Sequence, residues 1–312
     1  MKSRKNSWGP ELPSATPPGL AYIGRFAPSP SGPLHEGSLI TALASYLDAR
    51  ARHGRWLVRM EDLDPPRESP AAAHQILLAL EQLGLHWDGD ILYQSQRLPA
   101  YEAALADLSH RQLTFRCTCT RPQILAHGGI YPGTCRDHDP GTGPAAIRCR
   151  VEDVSIHFCD RIQGPQVQNL KQALGDFVIR RKDGLIAYQL AVVVDDAYQR
   201  ITHIVRGCDL LDSTARQMYL QSLLGFSRPD YAHIPVIVNA LGQKLSKQHF
   251  ASALDTRRPE DLLLKALGYL RQAPDPQLHG STRAEILTWA VQHWRPEALQ
   301  GLRQLSELGP SN

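Results

Sequence analysis

A loop near the start of the chain carries residues that could bind a nucleotide. It covers residues 25–38, with the letters RFAPSPSGPLHEGS, and joins a short apolar run to a helix-like segment. Backbone N–H groups at such a helix start bind anionic phosphates well. His35 could donate a hydrogen bond to a phosphate, and Gly37 would let an adenine or a ribose approach the backbone. On spacing alone, a proline-rich turn with a capping histidine explains the loop equally well.

Two lysines three positions apart form a second candidate group. They lie in the segment Lys244-Leu245-Ser246-Lys247-Gln248, which follows a predicted strand. A cationic pair on such a loop can neutralise the charge that grows as pyrophosphate departs from a triphosphate, and this stabilises the transition state. Taken alone, however, the pair is more typical of a solvated basic turn.

Three cysteines that are close in the sequence form a candidate metal site. Cys117, Cys119 and Cys135 supply three soft ligands, and tetrahedral Zn²⁺ takes four. Spacing alone leaves His127 or His138 as the fourth ligand, because imidazole commonly accompanies three thiolates. In a reducing compartment the clustering favours a metal over disulfides, with reduced cysteines that merely pack as the alternative. The other cysteines have no partner at ligand spacing and are interpreted as ordinary: Cys149, Cys159 and Cys208.

The elements predicted around the first loop form a βαβ unit. Residues 21–26 and 56–60 are predicted strands, and residues 37–53 form a predicted helix that Gly54 ends. Such a unit needs parallel strands joined by a right-handed crossover. Ser69 and Pro70 then fit the N-cap and first residue of another helix. We therefore predict an α/β fold with a Rossmann-type parallel nucleotide-binding sheet.

The pattern changes at residues 115–175, where Cys, His, Gly and Pro accumulate, and we predict a zinc-containing insertion that splits the sheet. After it, Ser213 is predicted to cap a helix that Gly225 ends. The remaining predicted strands are 176–181, 185–194, 202–206 and 234–238, and the remaining helices are 261–270 and 283–294. The predicted domains are a flexible leader (1–19), two halves of the catalytic domain (20–114 and 176–240), the insertion (115–175), and the lysine loop with a small helical C-terminal region (241–312).

Composition limits the function classes. With 42% apolar and 21% charged residues, the chain is not typical of a disordered, collagen-like or disulfide-dense protein. A formal charge of +3, from 34 basic against 31 acidic residues, shows no general preference for polyanions, so any nucleic-acid contact must be local. No long apolar run predicts a membrane span, and prolines interrupt the first residues, so we expect a cytoplasmic protein without a secretory signal.

The histidine loop and the lysine pair together resemble the two signature motifs of class I aminoacyl-tRNA synthetases, His-Ile-Gly-His and Lys-Met-Ser-Lys-Ser. Residues 25–32 resemble the glutamyl branch specifically. Further segments match it in unbroken order, so the resemblance covers roughly residues 20 to 250. These segments are 59–64 (RMEDLD), 66–68 (PRE), 188–196 (YQLAVVVDD) and 205–211 (VRGCDLL).

Within this branch the chain is most similar to the short paralogues, the glutamyl-queuosine tRNA(Asp) synthetases. Only 65 of its 312 residues follow Lys247, too few for the helical anticodon-binding part of a full glutamyl-tRNA synthetase. The resemblance implies ATP-dependent, tRNA-independent activation of L-glutamate, and then its transfer to the queuosine base at the wobble position of tRNA(Asp). We expect a monomer. The alternatives are a minimal glutamyl-tRNA synthetase that charges the terminal adenosine, and a catalytically inactive tRNA-binding protein.

The resemblance also implies roles for particular residues. Glu61 would take the substrate ammonium, Tyr188 would line the pocket, and His35 and Lys247 would be catalytic. The residues implied to hold the glutamate carboxylates are Arg25, Phe26, Ala27, Pro28, Ser29 and Arg206. The residues implied to bind ATP, which arrives with Mg²⁺, are His35, Gly37, Lys244 and Lys247. One structural Zn²⁺ would be held by the three clustered cysteines and Tyr131, with His138 as the reserve ligand.

The chain departs from the family motifs at two places. Glu36 replaces an apolar or aromatic residue, and we expect it to face away from ATP, into solvent or onto a basic partner. Leu245 and Gln248 replace the methionine and final serine of the lysine motif without a change of charge. Arginines around the insertion form a candidate tRNA-contacting patch, although each alone could be simply solvated: Arg111, Arg116, Arg121, Arg136, Arg148 and Arg150.

Overall fold

The computed structural model describes residues 21–138, 140–239 and 254–306. The predicted leader and the lysine motif, with Lys244 and Lys247, lie outside these residues. Within them, no helix combines the length and apolar character that crossing a bilayer requires.

A twisted parallel sheet forms the centre of the catalytic part. Strand β1 (Ile23–Phe26) pairs in parallel with β2 (Arg55–Met60), and β2 pairs with β3 (Leu92–Tyr93). A second parallel pair, β9 (His203–Gly207) with β10 (Asp230–Ile234), continues from β1, because the Thr202 N–H donates to the Ile23 carbonyl at 2.9 Å. The resulting order β3-β2-β1-β9-β10 places β1 and β9 side by side, which is the topological switch point of a doubly wound fold.

Helices cover this sheet and confirm most of the predicted positions. Helix α1 (Glu36–Arg50) connects β1 to β2, so the predicted βαβ unit is confirmed. The Ser69 hydroxyl accepts from the Ala72 N–H at 3.1 Å, and α2 begins at Pro70 as predicted. Gly225, with φ of 70°, ends α7 in the left-handed conformation. The helices outside the insertion are α1, α2 (Pro70–Gln82), α3 (Leu98–His110), α6 (Tyr188–Tyr198), α7 (Leu211–Leu224), α8 (Pro259–Tyr269) and α9 (Arg283–Gln292).

Two small antiparallel sheets lie in the predicted insertion and at its boundaries. In the first, β5 (Ala146–Cys149) lies between β4 (Thr114–Cys117) and β8 (Phe177–Arg180). The second is the hairpin of β6 (Ser155–Asp160) and β7 (Gly164–Asn169). Two short helices complete this part, α4 (Arg121–Leu125) and α5 (Leu170–Ala173). Near the end of the described chain, β11 (Val236–Val238) pairs in parallel with β12 (Gln304–Ser306).

Three local predictions were wrong, each for a physical reason. The predicted strand 185–194 is mostly helix α6. Residues 189–196 of this helix are all buried, so the sequence shows a continuous apolar run instead of the apolar stripe that is typical of a helix. Ser213 lies inside α7, and its hydroxyl accepts from the Gln189 amide at 3.1 Å instead of capping the helix. The predicted strand 234–238 is divided at Pro235, which lacks the N–H that a continuous ladder needs.

Gly54 also serves a purpose other than the predicted one. Helix α1 ends at Arg50, and the left-handed residue after it is His53, with φ of 52°. A Cβ at Gly54 would lie 2.6 Å from the Tyr22 Cβ, so the glycine permits a close approach to Tyr22, which directly precedes β1.

Asp48 of α1 joins distant parts of the chain. Its side chain is 1% exposed and accepts hydrogen bonds from the Tyr22 hydroxyl at 2.5 Å and from the Trp294 indole at 3.0 Å. Arg161, after β6, binds both of its carboxylate oxygens at 2.7 and 2.8 Å. Although burial raises the pKa of Asp48, the hydrogen bonds and charge of Arg161 outweigh it and hold that pKa well below its ordinary value.

We expect Asp48→Asn to lower the free energy of unfolding by about 3 kcal/mol at pH 7, because the buried site at position 48 loses the anion that pairs with Arg161. Asp107→Asn on α3 is the control, since Asp107 is 52% exposed beside Arg111 and should change stability by less than about 1 kcal/mol. Because the folded pKa of Asp48 is depressed, its contribution should be present above the pKa of the unfolded chain and lost as pH falls toward the folded pKa. Urea unfolding between pH 7 and pH 3 measures both effects, and equal losses in the two variants would contradict the assignment.

Candidate active site and metal centre

A cavity of about 590 Å³ opens where β1, β2 and β9 end. This is where open parallel sheets bind ligands, and its volume suits a small-molecule substrate. The described residues predicted to bind glutamate or ATP all line it: Arg25, Phe26, Ala27, Pro28, Ser29, His35, Gly37, Glu61, Tyr188 and Arg206. The structure thus brings these residues together, and their individual roles as ligands stay predictions.

A buried ion network forms one wall of the cavity. Asp196, on α6, accepts from the Arg25 Nε at 3.1 Å and from the Arg59 Nη1 at 2.8 Å. The Arg59 Nη2 lies 3.3 Å from a Glu61 oxygen, and Arg59 is completely buried. Among the described residues, the two terminal nitrogens of Arg25 have no hydrogen-bond partner. Arg25 therefore has a guanidinium fork available to bind a carboxylate.

The same network sets the charges of the wall. Burial raises the pKa of Asp196, but Arg25 and Arg59 outweigh it and lower the pKa below its ordinary value. Burial raises the pKa of Glu61, and Arg59 and Arg25 only partly oppose this. A bound cation would favour the ionised form of Glu61. Burial also raises the pKa of Tyr188, so its phenol stays protonated and can donate a hydrogen bond.

His35 is the N-cap of α1. Its Nδ1 accepts from the Ser38 N–H at 3.3 Å, so Nε2 carries the proton of the neutral ring and lies 2.8 Å from the Ser38 hydroxyl. The capping interpretation is confirmed, and the ring also lines the cavity. Glu36, the next residue, does not line the cavity, and its carboxylate lies 2.6 Å from the Lys265 Nζ on α8. The expectation that Glu36 pairs with a basic residue is confirmed.

Sequence reasoning missed the residues that support the cavity. Asp196 and Arg59 lie in segments that matched the family, but they received no role, because a buried ion pair between distant segments leaves no local pattern. His233 was also missed, although its ring contacts Arg206 at 2.9 Å. The one available signal was an acidic pair, Asp195 and Asp196, inside an otherwise apolar run.

The cysteine cluster converges in three dimensions. The sulfur atoms of Cys117, Cys119 and Cys135 lie within 4.8 Å of one another. The Tyr131 hydroxyl lies 3.5 Å from the Cys117 sulfur and accepts from the Cys135 N–H at 2.8 Å. Three thiols thus converge with a phenol oxygen beside one of them, and four such donors match the number that a tetrahedral metal takes. Among the residues described around the cluster, no histidine joins it, and both His127 and His138 are exposed.

Burial and local hydrogen bonds shift the pKa values of two thiols in this cluster in opposite directions. Burial raises the pKa of Cys135, but the backbone N–H of Thr118 and the Cys119 thiol outweigh it and lower that pKa to about 7. A thiolate is the form that a metal binds. Burial, followed by the hydrogen bond to Cys135, raises the pKa of Cys119 to about 11.

The prediction of the arginine patch is wrong for Arg148, which is buried, and Arg136 and Arg150 are partly buried by contacts with neighbouring side chains. Arg148 is 7% exposed, and its guanidinium lies 4.0 Å from the centre of the Tyr131 ring. Arg136 pairs with Asp176 at 2.5 Å, and Arg150 lies 5.2 Å from the centre of the Phe115 ring. Arg148 thus belongs to the packing around Tyr131. Arg111 and Arg121 are exposed, so a tRNA contact there stays a prediction.

The comparisons with known proteins agree with this geometry. The family described as tRNA synthetases class I (E and Q), catalytic domain, matches residues 23–130 and 132–273. A glutamyl-Q tRNA(Asp) synthetase of Pseudomonas putida is 55% identical over 92% of this chain and 96% of its own length. Another, from Pseudomonas aeruginosa, is 54% identical over 88% of this chain and 94% of its own length.

A solved structure supports the fold. The glutamate tRNA ligase of Elizabethkingia meningosepticum, crystallised in complex with its amino acid, has a TM-score of 0.76 and 24% identity, over 91% of this chain and 67% of its own. The site and fold therefore define a class I synthetase catalytic domain. The chain belongs to this family, and within it to the group of the glutamyl-Q tRNA(Asp) synthetases.

Gly175 allows a test of the metal site. A Cβ at Gly175 would lie 2.4 Å from the Tyr131 carbonyl oxygen, so Gly175→Ala should displace Tyr131 and reduce the retention of added Zn²⁺ several-fold. Gly184→Ala is the matched control, because Gly184 also has a positive φ, of 90°, but no atom within 4 Å of its Cβ position. Cys119→Ser should lose the metal outright. Metal analysis after dialysis measures all three, and one Zn²⁺ per chain in every variant would contradict the site.

Proposed function

We propose that this chain activates L-glutamate with ATP, without needing tRNA, and then transfers the glutamate to the queuosine base at the wobble position of tRNA(Asp). One observation carries the proposal: the available Arg25 fork, the buried Glu61 and the start of α1 meet in one cavity. This arrangement occurs in a chain that matches glutamyl-Q tRNA(Asp) synthetases over nearly their whole length, which supports the substrate assignment.

The cavity suits the charges of glutamate, which carries two carboxylates and one ammonium group. Arg25 can bind one carboxylate through two parallel N–H bonds, and Arg206 at the end of β9 can bind the other. Glu61 can accept from the ammonium, whose charge compensates the cost of keeping that carboxylate buried. Tyr188 can donate its hydroxyl proton to a substrate oxygen.

Activation requires positioning and charge stabilisation rather than a protein nucleophile. A carboxylate oxygen of glutamate attacks the α-phosphorus of ATP in line, a P–O bond forms, and the bond to the departing pyrophosphate breaks. The start of α1 can bind the phosphates, because Gly37 and Ser38 line the cavity. The Nε2–H of His35 can donate to a phosphate oxygen in place of the Ser38 hydroxyl oxygen. Lys244 and Lys247 would stabilise the pyrophosphate together with Mg²⁺.

Transfer then uses the same cavity. An acceptor group of the queuosine base attacks the activated carboxyl carbon, an acyl bond forms, and AMP leaves with the electron pair of the broken C–O bond. The anhydride supplies the driving force, so the protein needs only to orient the base and exclude water.

We also propose that Cys117, Cys119, Tyr131 and Cys135 hold one structural Zn²⁺. Four protein ligands leave no open position, so the ion would stabilise the insertion rather than take part in the reaction. The ion would fasten β4 to the loop that carries Tyr131, on which Arg148 packs. The interpretation as a cytoplasmic monomer stays a prediction.

Two measurements test the function. Exchange of labelled pyrophosphate into ATP should require glutamate but not tRNA, and labelled glutamate should then appear only on tRNA(Asp) that carries queuosine. Arg25→Gln should raise the glutamate KM by roughly 100-fold, because a buried charge pair is lost. Arg50→Gln is the control, since Arg50 pairs with Asp88 away from the cavity. Label on the 3′ end would mean that the chain charges terminal adenosine, and absence of exchange would mean a binding protein.

Glu36 should not affect ATP binding, because its carboxylate is held by Lys265 outside the cavity. We expect Glu36→Phe to leave the ATP KM within about two-fold of wild type, and Lys265→Met to do the same, since a half-exposed ion pair contributes about 1 kcal/mol or less. Pyrophosphate exchange at varied ATP measures this. A marked fall in the KM of Glu36→Phe alone would show instead that the acid repels the nucleotide.

A further inference from the structure

A completely buried histidine lies directly behind Arg206. His233 on β10 is the register partner of Arg206 on β9, and its ring is 0% exposed. The Arg206 Nε lies 2.9 Å from the His233 Nε2. A guanidinium N–H can only donate, so the His233 Nε2 must accept with its lone pair. His233 is therefore neutral here, and its single ring proton is on Nδ1.

Asp160 fixes that tautomer. The His233 Nδ1 donates to the Asp160 Oδ2 at 2.6 Å. The Asp160 Oδ1 accepts from the N–H groups of Ile162, Gln163 and His233 at 3.0, 2.8 and 3.1 Å. The Asp160 carboxylate is thus fixed by the turn that follows β6, in the insertion. Asp160 in turn orients the His233 ring, which accepts from Arg206.

The other donors of Arg206 are occupied in the same way. Its Nη1 donates to the Gln217 Oε1 at 2.8 Å, and its Nη2 donates to the Thr214 hydroxyl at 2.9 Å and to the Leu210 carbonyl at 3.4 Å. A guanidinium has five N–H groups. Among the described residues, four are engaged with the protein, and the fifth, on Nη1, belongs to a side chain that lines the cavity.

We propose that His233, oriented by Asp160, is a positioning residue that holds the Arg206 guanidinium so that one N–H is directed at a carboxylate of the bound glutamate. This inference rests on the proposed function. Without the acceptor on His233, the guanidinium could rotate about its Cδ–Nε bond and lose the direction of that N–H. Arg25 would then provide the two-bond carboxylate contact, and Arg206 a single bond whose direction selects the substrate pose.

The arrangement should also depend on pH. Burial lowers the pKa of His233, and the charge of Arg206 lowers it further, while the hydrogen bond and charge of Asp160 and the charge of Asp209 oppose them. The Tyr231 ring, 6.2 Å away on the same strand, is a further titratable neighbour among the described residues. Protonation at low pH would place an N–H donor against the Arg206 Nε and disrupt the contact. The glutamate KM should therefore rise on the acid side while the ATP KM does not follow it.

The test compares His233→Phe with His203→Phe, a matched change at the other end of the same strand pair, where His203 stacks on Tyr22 and does not contact Arg206. Pyrophosphate exchange gives the KM for glutamate and for ATP, and calorimetry gives glutamate binding alone. We expect His233→Phe to raise the glutamate KM and Kd by roughly 10-fold or more, as for loss of a hydrogen bond to a charged group, with the ATP KM unchanged. His203→Phe should change neither KM.

Two further variants separate positioning from a purely structural role. His233→Gln should recover most of the glutamate affinity, because its amide oxygen can accept from Arg206, and it should flatten the acid limb of the pH profile. His233→Phe should add nothing once Arg206→Gln is present. Additive effects, or an unchanged glutamate KM in His233→Phe with Arg206→Gln impaired, would overturn the inference while the proposed function stands. An unchanged KM in Arg206→Gln would overturn the role of Arg206, and this inference with it.

Discussion

The candidate active site depends on one buried carboxylate, Asp196, which holds two arginines from two different strands. Arg25 lies near the end of β1 and Arg59 lies on β2, and because both side chains are buried, their charges would repel without an anion between them. Because Asp196 binds the Nε side of Arg25, the outer nitrogens face the cavity. Asp196 thus joins the ends of β1 and β2, and it also orients the Arg25 guanidinium that is proposed to bind the substrate.

This constraint explains the form of α6. Successive residues on a helix point about 100° apart, so adjacent acids can serve different neighbours. Asp195 binds Gln94, Arg97 and Tyr101 on the side of α3, while Asp196 binds Arg25 and Arg59. A strand would have directed the two carboxylates to opposite faces of a sheet. Helix α6 is therefore buried on all sides along residues 189–196. Because no face of it is polar, its sequence lacks the alternation of apolar and polar residues from which a helix is predicted.

The sequence was informative where a local signal exists, and it was silent where only tertiary contacts decide. The first βαβ unit and the cap at Ser69 were predictable because strand alternation, helix stripes and capping residues are local. The spacing of the cysteines indicated a metal site, but only the family resemblance indicated Tyr131, whose hydroxyl the fold brings to the three sulfurs. Arg148 was misassigned because a basic residue in a loop-rich segment does not reveal that its guanidinium will stack on a buried ring.

The Glu36–Lys265 pair shows how a motif can change without loss of its geometry. An acid in the first turn of α1 interacts favourably with the helix dipole, but it adds negative charge close to where phosphates would bind. The conflict does not arise, because the Glu36 carboxylate lies outside the cavity, where it pairs with the Lys265 ammonium at 2.6 Å. Lys265 lies on α8, and Leu263 and Leu267 of that helix are buried in the same apolar core as Leu39 and Leu43 of α1. The C-terminal helices therefore help to position the start of α1, although no residue of α8 lines the cavity.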